Sequence, residues 1–147
     1  GIIELYPDCK LADDAYFEIG RLYQAKIRDY TKAIRFYNRI INEYPGCDFK
    51  DDCYRNMGQS FMELKKWEEA HNCFVIITEQ FPDSNLVPAA YYSTGLCCEE
   101  MEEWKEAVER YNKLVEDYPK SLSANSARKH LKKLDELMDR KLISWVG

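Results

Sequence analysis

Cysteine has the widest chemical range of the residues in this sequence, because a thiolate can bind a metal ion, attack a substrate or form a disulfide. The chain has six cysteines. None belongs to a Cys-x-x-Cys pair, and the adjacent Cys97 and Cys98 would point about 100° apart on a helix. Cys9 and Cys47 occupy equivalent positions of successive sequence repeats, which we expect to lie beyond the roughly 7 Å between Cα atoms that a disulfide spans. The sequence therefore predicts no metal site, no cofactor and unpaired thiols.

Histidine and glutamate could supply acid–base chemistry. The two histidines are His71 and His130, and no serine, aspartate or cysteine can be placed beside His71 from its spacing, which favours a surface histidine. The densest group of acids comprises Glu99, Glu100, Glu102, Glu103, Glu106 and Glu109. A solvated helical surface is the first interpretation of this group, and a docking site for a basic partner is the alternative. No catalytic residue is predicted, so we do not expect an enzyme.

The composition excludes two further classes of protein. The chain has 147 residues, 46% of them hydrophobic and 32% charged, which is ordinary for a soluble globular protein. Its formal net charge is −5, and we do not expect nucleic-acid binding, which requires clustered cations for phosphate groups. No segment approaches the roughly 20 apolar residues of a membrane-spanning helix.

A sequence repeat organises the chain and must position any functional side chain. Four prolines, each preceded by an aromatic residue, are separated by 38, 37 and 37 residues: Pro7, Pro45, Pro82 and Pro119. Small residues recur in the same register, at Gly20, Gly58 and Gly95 and at Ala33, Ala70 and Ala107. Aromatic residues do the same, at Tyr16, Tyr54 and Tyr91 and at Tyr37, Phe74 and Tyr111. The first period has one extra residue, between Gly20 and Tyr30.

Each period predicts two helices. In residues 12–25 and 30–44, small or apolar side chains recur at i, i+3, i+4 and i+7, which is typical of one helix face. The proline ends the second helix, and the short turn within each period makes the two helices antiparallel neighbours. The recurring glycine and alanine let these helices approach closely, since an added methylene would overpack the crossing by about 1–3 kcal/mol. The sequence therefore predicts an all-α fold of stacked helix pairs.

This pattern resembles the tetratricopeptide repeat. The resemblance covers residues 2–127 and is carried by Tyr16-x3-Gly20-x2-Tyr23, Ala33-x3-Tyr37 and Pro45, and by the equivalent residues of the next two periods. The period is 37 rather than the usual 34 residues, and Cys98 replaces an aromatic residue in the third repeat. The longer form is similar to repeats of bacterial cell-envelope proteins, of the outer-membrane-assembly lipoprotein and Tol–Pal coordinator types.

The resemblance implies a right-handed α-solenoid, or superhelix, of antiparallel helix pairs. Residues 1–11 would be the tail of a truncated preceding repeat, which makes the chain a slice of a longer protein. Residues 12–122 would contain three helix pairs, at 12–49, 50–86 and 87–122. Residues 123–147 would form a capping helix, which hides the last apolar face of a solenoid, followed by an apolar tail.

The resemblance also implies a function. In this family the first helices of the pairs line a concave groove that binds a peptide or protein partner. Carried over by position, the groove residues would be Phe17, Arg21, Gln24, Arg55, Asn56, Gln59, Met62, Glu63, Tyr92, Ser93, Leu96 and Glu99. We therefore expect a non-catalytic interaction scaffold or adaptor.

Several alternatives to this prediction stay open. The chain could be the recruitment module of a longer enzyme or of an envelope-assembly protein. It could also self-assemble through the truncated first helix or the apolar tail. Unpaired cysteines favour the cytoplasm, whereas the resemblance favours the bacterial periplasm or cell envelope.

Overall fold

The computed structural model describes residues 10–144, and the regular structure in this range is entirely helical, which confirms the all-α fold class. The helices are α1 (Lys10–Leu22), α2 (Tyr30–Glu43), α3 (Lys50–Glu63), α4 (Trp67–Gln80), α5 (Val87–Glu100), α6 (Trp104–Asp117) and α7 (Leu122–Asp139). None of them is long and apolar enough to cross a membrane. The predictions about the truncated first helix and about Trp145 and Val146 concern residues outside this range.

Local sequence signals explain where several helices begin. The side chain of Asp29 accepts a hydrogen bond from the backbone N–H of Lys32 at 3.1 Å and caps α2. The Ser121 hydroxyl accepts one from the N–H of Ala124 at 3.0 Å and caps α7 in the same way. Pro88 lies in the first turn of α5, where its missing N–H costs nothing. Capping helix α7 thus begins one residue before the predicted segment 123–147.

Each helix pair turns through a left-handed residue that is not glycine. Arg28, Lys65 and Glu102 have φ angles of 61°, 58° and 58° and follow the first helix of each pair. At the second turn the N–H of Lys66 donates to the carbonyl of Phe61 at 2.9 Å, which closes the helix end. These turns return the second helix of each pair along the first.

A π-helical turn accommodates the extra residue of the first period. Residues Tyr23–Ile27 continue α1 in π-helical geometry, which fits one residue more into a helical turn than the α-helix does. The N–H of Asp29 bonds to the carbonyl of Tyr23 at 2.9 Å, spanning six residues instead of the five spanned by Lys66 and Phe61. Gly20 and Tyr30 therefore keep their places in the helix pair despite the insertion.

The chain divides into two compact units, which we describe separately. Unit 1 is residues 1–73 and unit 2 is residues 74–147, so the division falls inside α4. The core of unit 1 has Tyr37 and Ile40 fully buried at its centre. The core of unit 2 has Tyr111, Leu114 and Leu134 fully buried. Leu134 belongs to α7, which therefore packs on the preceding pair.

The close approach expected at the repeated glycines is present in both units. A Cβ atom added to Gly20 would lie 2.8 Å from Cε1 of Tyr37. A Cβ atom added to Gly95 would lie 2.6 Å from Cζ of Tyr111. Each tyrosine ring thus lies against the backbone of the first helix of its own pair.

The cysteines provide a prediction about accessibility. Cys53, Cys73 and Cys98 are buried, and burial raises the pKa of Cys73 and of Cys98 to about 12. Cys47 is half-buried, and burial raises its pKa to about 11. Because alkylation needs an accessible thiolate, we expect iodoacetamide to modify Cys47 before Cys53, Cys73 and Cys98, which should react only after unfolding. Mass-spectrometric mapping after short labelling times measures this order, and equal rates for Cys47 and Cys53 would contradict it.

Candidate functional site

A depression of about 800 Å³ lies on unit 1, between α1 with its π-helical turn and α3. We call it the inner depression; it is lined by Phe17, Arg21, Gln24, Ala25, Arg28, Tyr30, Asp52, Arg55, Asn56, Gln59 and Glu63. Of the groove residues predicted in the first two repeats, all but Met62 line it. Met62 is half-buried on α3 outside this lining. The helix-face register therefore brings the predicted side chains of α1 and α3 together.

A chain of hydrogen bonds crosses the inner depression. The hydroxyl of Tyr37 donates to Oε1 of Gln24 at 2.7 Å. Nε2 of Gln24 donates to Oε1 of Gln59 at 3.3 Å, which joins α1 to α3. Burial raises the pKa of Tyr37 above its ordinary value, so its phenol stays protonated and remains the donor. The core of unit 1 thereby fixes the orientation of the amides at the surface of the depression.

Arginines give part of the inner depression a positive character. Arg55 forms an ion pair with Asp52, with 3.3 Å between Nη2 and Oδ1. The buried Nε of Arg55 has no hydrogen-bond acceptor among residues 10–144. Burial raises the pKa of Asp52, and the charge of Arg55 opposes this effect. Arg21 pairs with Glu18 at 3.4 Å, but its side chain is 58% exposed and can turn toward a ligand.

Phe17 connects the depression to the aromatic core. Its ring centroid lies 5.6 Å from that of Tyr37 and 5.1 Å from that of Phe49, the latter in an edge-to-face arrangement. Such contacts hold the ring in one position. The side that Phe17 presents to the depression is therefore a rigid apolar surface beside the polar groups.

Sequence reasoning missed four residues of the lining: Ala25, Arg28, Tyr30 and Asp52. Ala25 and Arg28 lie between α1 and α2 and Tyr30 begins α2, and the helix-face pattern does not assign side-chain directions in this turn. Asp52 lies on the first turn of α3, three residues before Arg55. The spacing of Asp52 and Arg55 is the signal that could have indicated an ion pair.

In unit 2 the predicted groove residues Tyr92, Ser93, Leu96 and Glu99 are partly exposed on α5. Two of them bind the capping helix. Nδ1 of His130 lies 2.7 Å from Oε2 of Glu99, and Nε2 of His130 lies 3.1 Å from the hydroxyl of Tyr92. The hydroxyl of Tyr111 also donates to Oε2 of Glu99. These contacts engage Tyr92 and Glu99 within the protein and attach α7 to α5 and α6.

The network around His130 repeats the arrangement in unit 1. By position in the repeat, Tyr111 corresponds to Tyr37 and Glu99 to Gln24. Burial, and then the bond to Glu99, raise the pKa of Tyr111, so this phenol also remains a donor. The equivalent tyrosine in each unit thus bonds a polar side chain of the first helix of its own pair.

Repeated antiparallel helix pairs, with polar side chains between the first helices α1 and α3, are typical of the helical-repeat class of proteins. Two segments, residues 14–46 and 89–121, match the family model of the tetratricopeptide repeat. They are the α1–α2 pair and the α5–α6 pair, so these two helix pairs match the tetratricopeptide repeat. Repeats of this kind generally mediate protein–protein interaction.

A solved structure supports the fold. The chain is similar to the Arabidopsis OM64 TPR domain, with a TM-score of 0.64 and 22% sequence identity over 83% of this chain and 95% of that one. At this identity the likeness shows the fold alone. No curated protein matched the sequence.

Proposed function

We propose that the chain is a non-catalytic interaction scaffold that binds a peptide or protein segment in the inner depression. The observation that carries this proposal is the convergence of Phe17, three arginines and three amide side chains around one depression of about 800 Å³. Amide and guanidinium groups can bond the backbone and side chains of a peptide, and an aromatic ring can anchor an apolar residue.

The charges suggest the polarity of the ligand. Arg21, Arg28 and Arg55 lie among the lining residues, and Glu63 adds a negative charge at the end of α3. The Arg55 side chain is 36% exposed, so the outer part of its guanidinium group can reach an acceptor on the ligand. We infer that the bound segment places carbonyl or carboxylate oxygens near Arg55 and a basic or neutral residue near Glu63.

The arginines provide the test of this site. Peptides selected from a random library on the immobilised protein would be measured by fluorescence anisotropy against the Arg21→Glu/Arg55→Glu variant. We expect binding to weaken by about tenfold or more, because two favourable charges become repulsive. The Arg21→Glu single variant is measured as well, because Arg21 is exposed and its replacement does not disturb a buried group. We expect it to lose less peptide affinity than the double variant.

A matched control separates this effect from net charge. Lys129→Glu/Lys133→Glu changes the net charge equally, at two exposed positions of α7 in unit 2. Its affinity for the selected peptides should match that of the wild type. Equal affinities of all variants, with unchanged thermal unfolding, would exclude the inner depression as the binding site.

Two alternatives come from the sequence. The first is a recruitment module in a longer enzyme or a bacterial envelope-assembly protein. The second is a self-assembling array joined through the truncated N-terminal helix or the apolar C-terminal tail. Neither has a supporting observation in residues 10–144 comparable to the lining of the inner depression.

A further inference from the structure

Basic residues are concentrated in one segment of unit 1. Six of the chain's 21 lysine and arginine residues lie between positions 21 and 39, together with a single acid, Asp29. In the rest of the chain acidic residues outnumber basic ones by 25 to 15. The net charge of −5 therefore conceals a local positive field on α2 and the turn that precedes it.

Three of these cations share one face of α2. Lys32, Arg35 and Arg39 are exposed and follow one another at intervals of three and four residues. On an α-helix this spacing aligns them, with about 4.5 Å and about 6 Å of axial rise between neighbours. Together with Tyr23 and Phe36 they line a depression of about 300 Å³, which we call the basic face.

Aromatic rings form the floor of the basic face. The rings of Tyr23 and Phe36 stack, with 5.6 Å between centroids and 13° between planes, and both are half-buried against the core of unit 1. The ammonium group of Lys32 lies 5.5 Å from the centroid of the Tyr23 ring. The guanidinium carbon of Arg39 lies 4.6 Å from the centroid of Tyr16. Cation–π attraction therefore restrains two of the cations without neutralising them.

The protein's own carboxylates leave most of this charge uncompensated. Within residues 10–144, the carboxylate that pairs with a cation of the basic face is Glu43, whose Oε2 lies 2.7 Å from Nε of Arg39. Lys32 and Arg35 form no ion pair with an acid in this range. The positive charges of Lys32 and Arg35 and an apolar floor thus remain available to an external group.

We propose that the basic face is a second binding site, for an acidic helical segment of a partner protein. A helix with carboxylates at i, i+3 and i+7 places one negative charge opposite each of Lys32, Arg35 and Arg39. An apolar side chain between them would cover the stacked rings, which adds apolar contact to charge pairs that are weak when exposed. The basic face and the inner depression share no lining residue, so the two sites can be occupied independently.

The dimensions and surroundings of the basic face favour a short protein segment over a long polyanion. A volume of about 300 Å³ accommodates one or two side chains. Nucleic acids and anionic membranes extend their charge over a wide area, where the acidic remainder of this chain would be repelled. A single helix with a few carboxylates avoids that repulsion.

The probe that tests this site is a synthetic fluorescein-labelled helical peptide, rich in alanine, with glutamate at i, i+3 and i+7 and leucine at i+4. We expect it to bind the full chain, and to bind more weakly as salt is raised and the Debye length shortens from about 10 Å toward about 3 Å. The Lys32→Glu/Arg35→Glu variant should lose about tenfold in affinity. The same peptide with glutamine for glutamate should not bind.

The control is again Lys129→Glu/Lys133→Glu, which changes net charge equally and should leave peptide affinity within about twofold of the wild type. Equal loss in both variants would overturn the proposal, since net charge alone would then govern binding. Absence of peptide binding would also overturn it. The proposal would also be overturned if the peptide failed to bind while the protein bound phosphatidylserine vesicles or self-associated in a salt-sensitive way, and the Lys32→Glu/Arg35→Glu change abolished that binding.

Discussion

Replacing Leu134 with alanine should lower the free energy of unfolding by about 2–5 kcal/mol. Leu134 is fully buried on α7 and packs in the core cluster of unit 2 with Tyr111 and Leu114. Truncation leaves a cavity that the surrounding rings cannot fill, because Tyr111 is bonded to Glu99 and lies beside His130. Urea denaturation followed by far-ultraviolet circular dichroism measures the change.

The same helix supplies the control for this prediction. Leu122 begins α7 and is 84% exposed, so Leu122→Ala should change the free energy of unfolding by less than about 0.5 kcal/mol. Equal effects of the two substitutions would mean that α7 does not cap the core of unit 2. If the slope of the unfolding free energy against urea concentration is unchanged and the midpoint is lower, the substitution has changed the stability of the protein and not the surface that unfolding exposes.

Replacing Gly95 with alanine should destabilise the protein by about 1–3 kcal/mol. The added Cβ atom would lie 2.6 Å from Cζ of Tyr111, well inside van der Waals contact. The ring cannot move away easily, because it is fully buried, its hydroxyl binds Glu99 and its neighbours are Tyr92 and His130. Alanine is favoured over glycine in a helix by about 1 kcal/mol, so this collision must exceed that gain.

Gly46 is the matched control for Gly95. It is exposed, and an added Cβ atom would have nothing within 4 Å. Since its φ angle is not positive, Gly46→Ala should leave stability unchanged or raise it by up to about 1 kcal/mol. If thermal unfolding showed that Gly95→Ala is as stable as Gly46→Ala, the close packing of α5 against α6 described here would be wrong.

The sequence was sufficient to predict which helices pair and which faces they bury. The register of glycine, alanine and aromatic residues determines these features, because a helix pair cannot close unless small residues face large ones. The family resemblance, applied position by position, predicted that Phe17, Arg21 and Gln24 would line one groove with Arg55 and Gln59. Side-chain direction on a helix is fixed by a period of 3.6 residues, which makes such inferences reliable inside a helix.

Features that depend on turns and on contacts between side chains were not predictable. Arg28 lines the inner depression because the backbone takes a left-handed conformation there, and periodicity does not report that angle. The bonds of His130 to Tyr92 and Glu99 join residues far apart in sequence, whose distances depend on how α7 packs. The basic face was missed because the charge of the chain was considered as a whole.

The π-helical turn at Tyr23–Ile27 bears on how the length of such a chain can vary in evolution. An inserted residue usually rotates everything that follows it on a helix by about 100°, which would expose one buried face and bury a charged one. Here the insertion widens a single turn, and α2 still begins at Tyr30 with its Asp29 cap intact. Insertions at the ends of first helices are therefore tolerated, and the period can drift by single residues while the packing between helices is conserved.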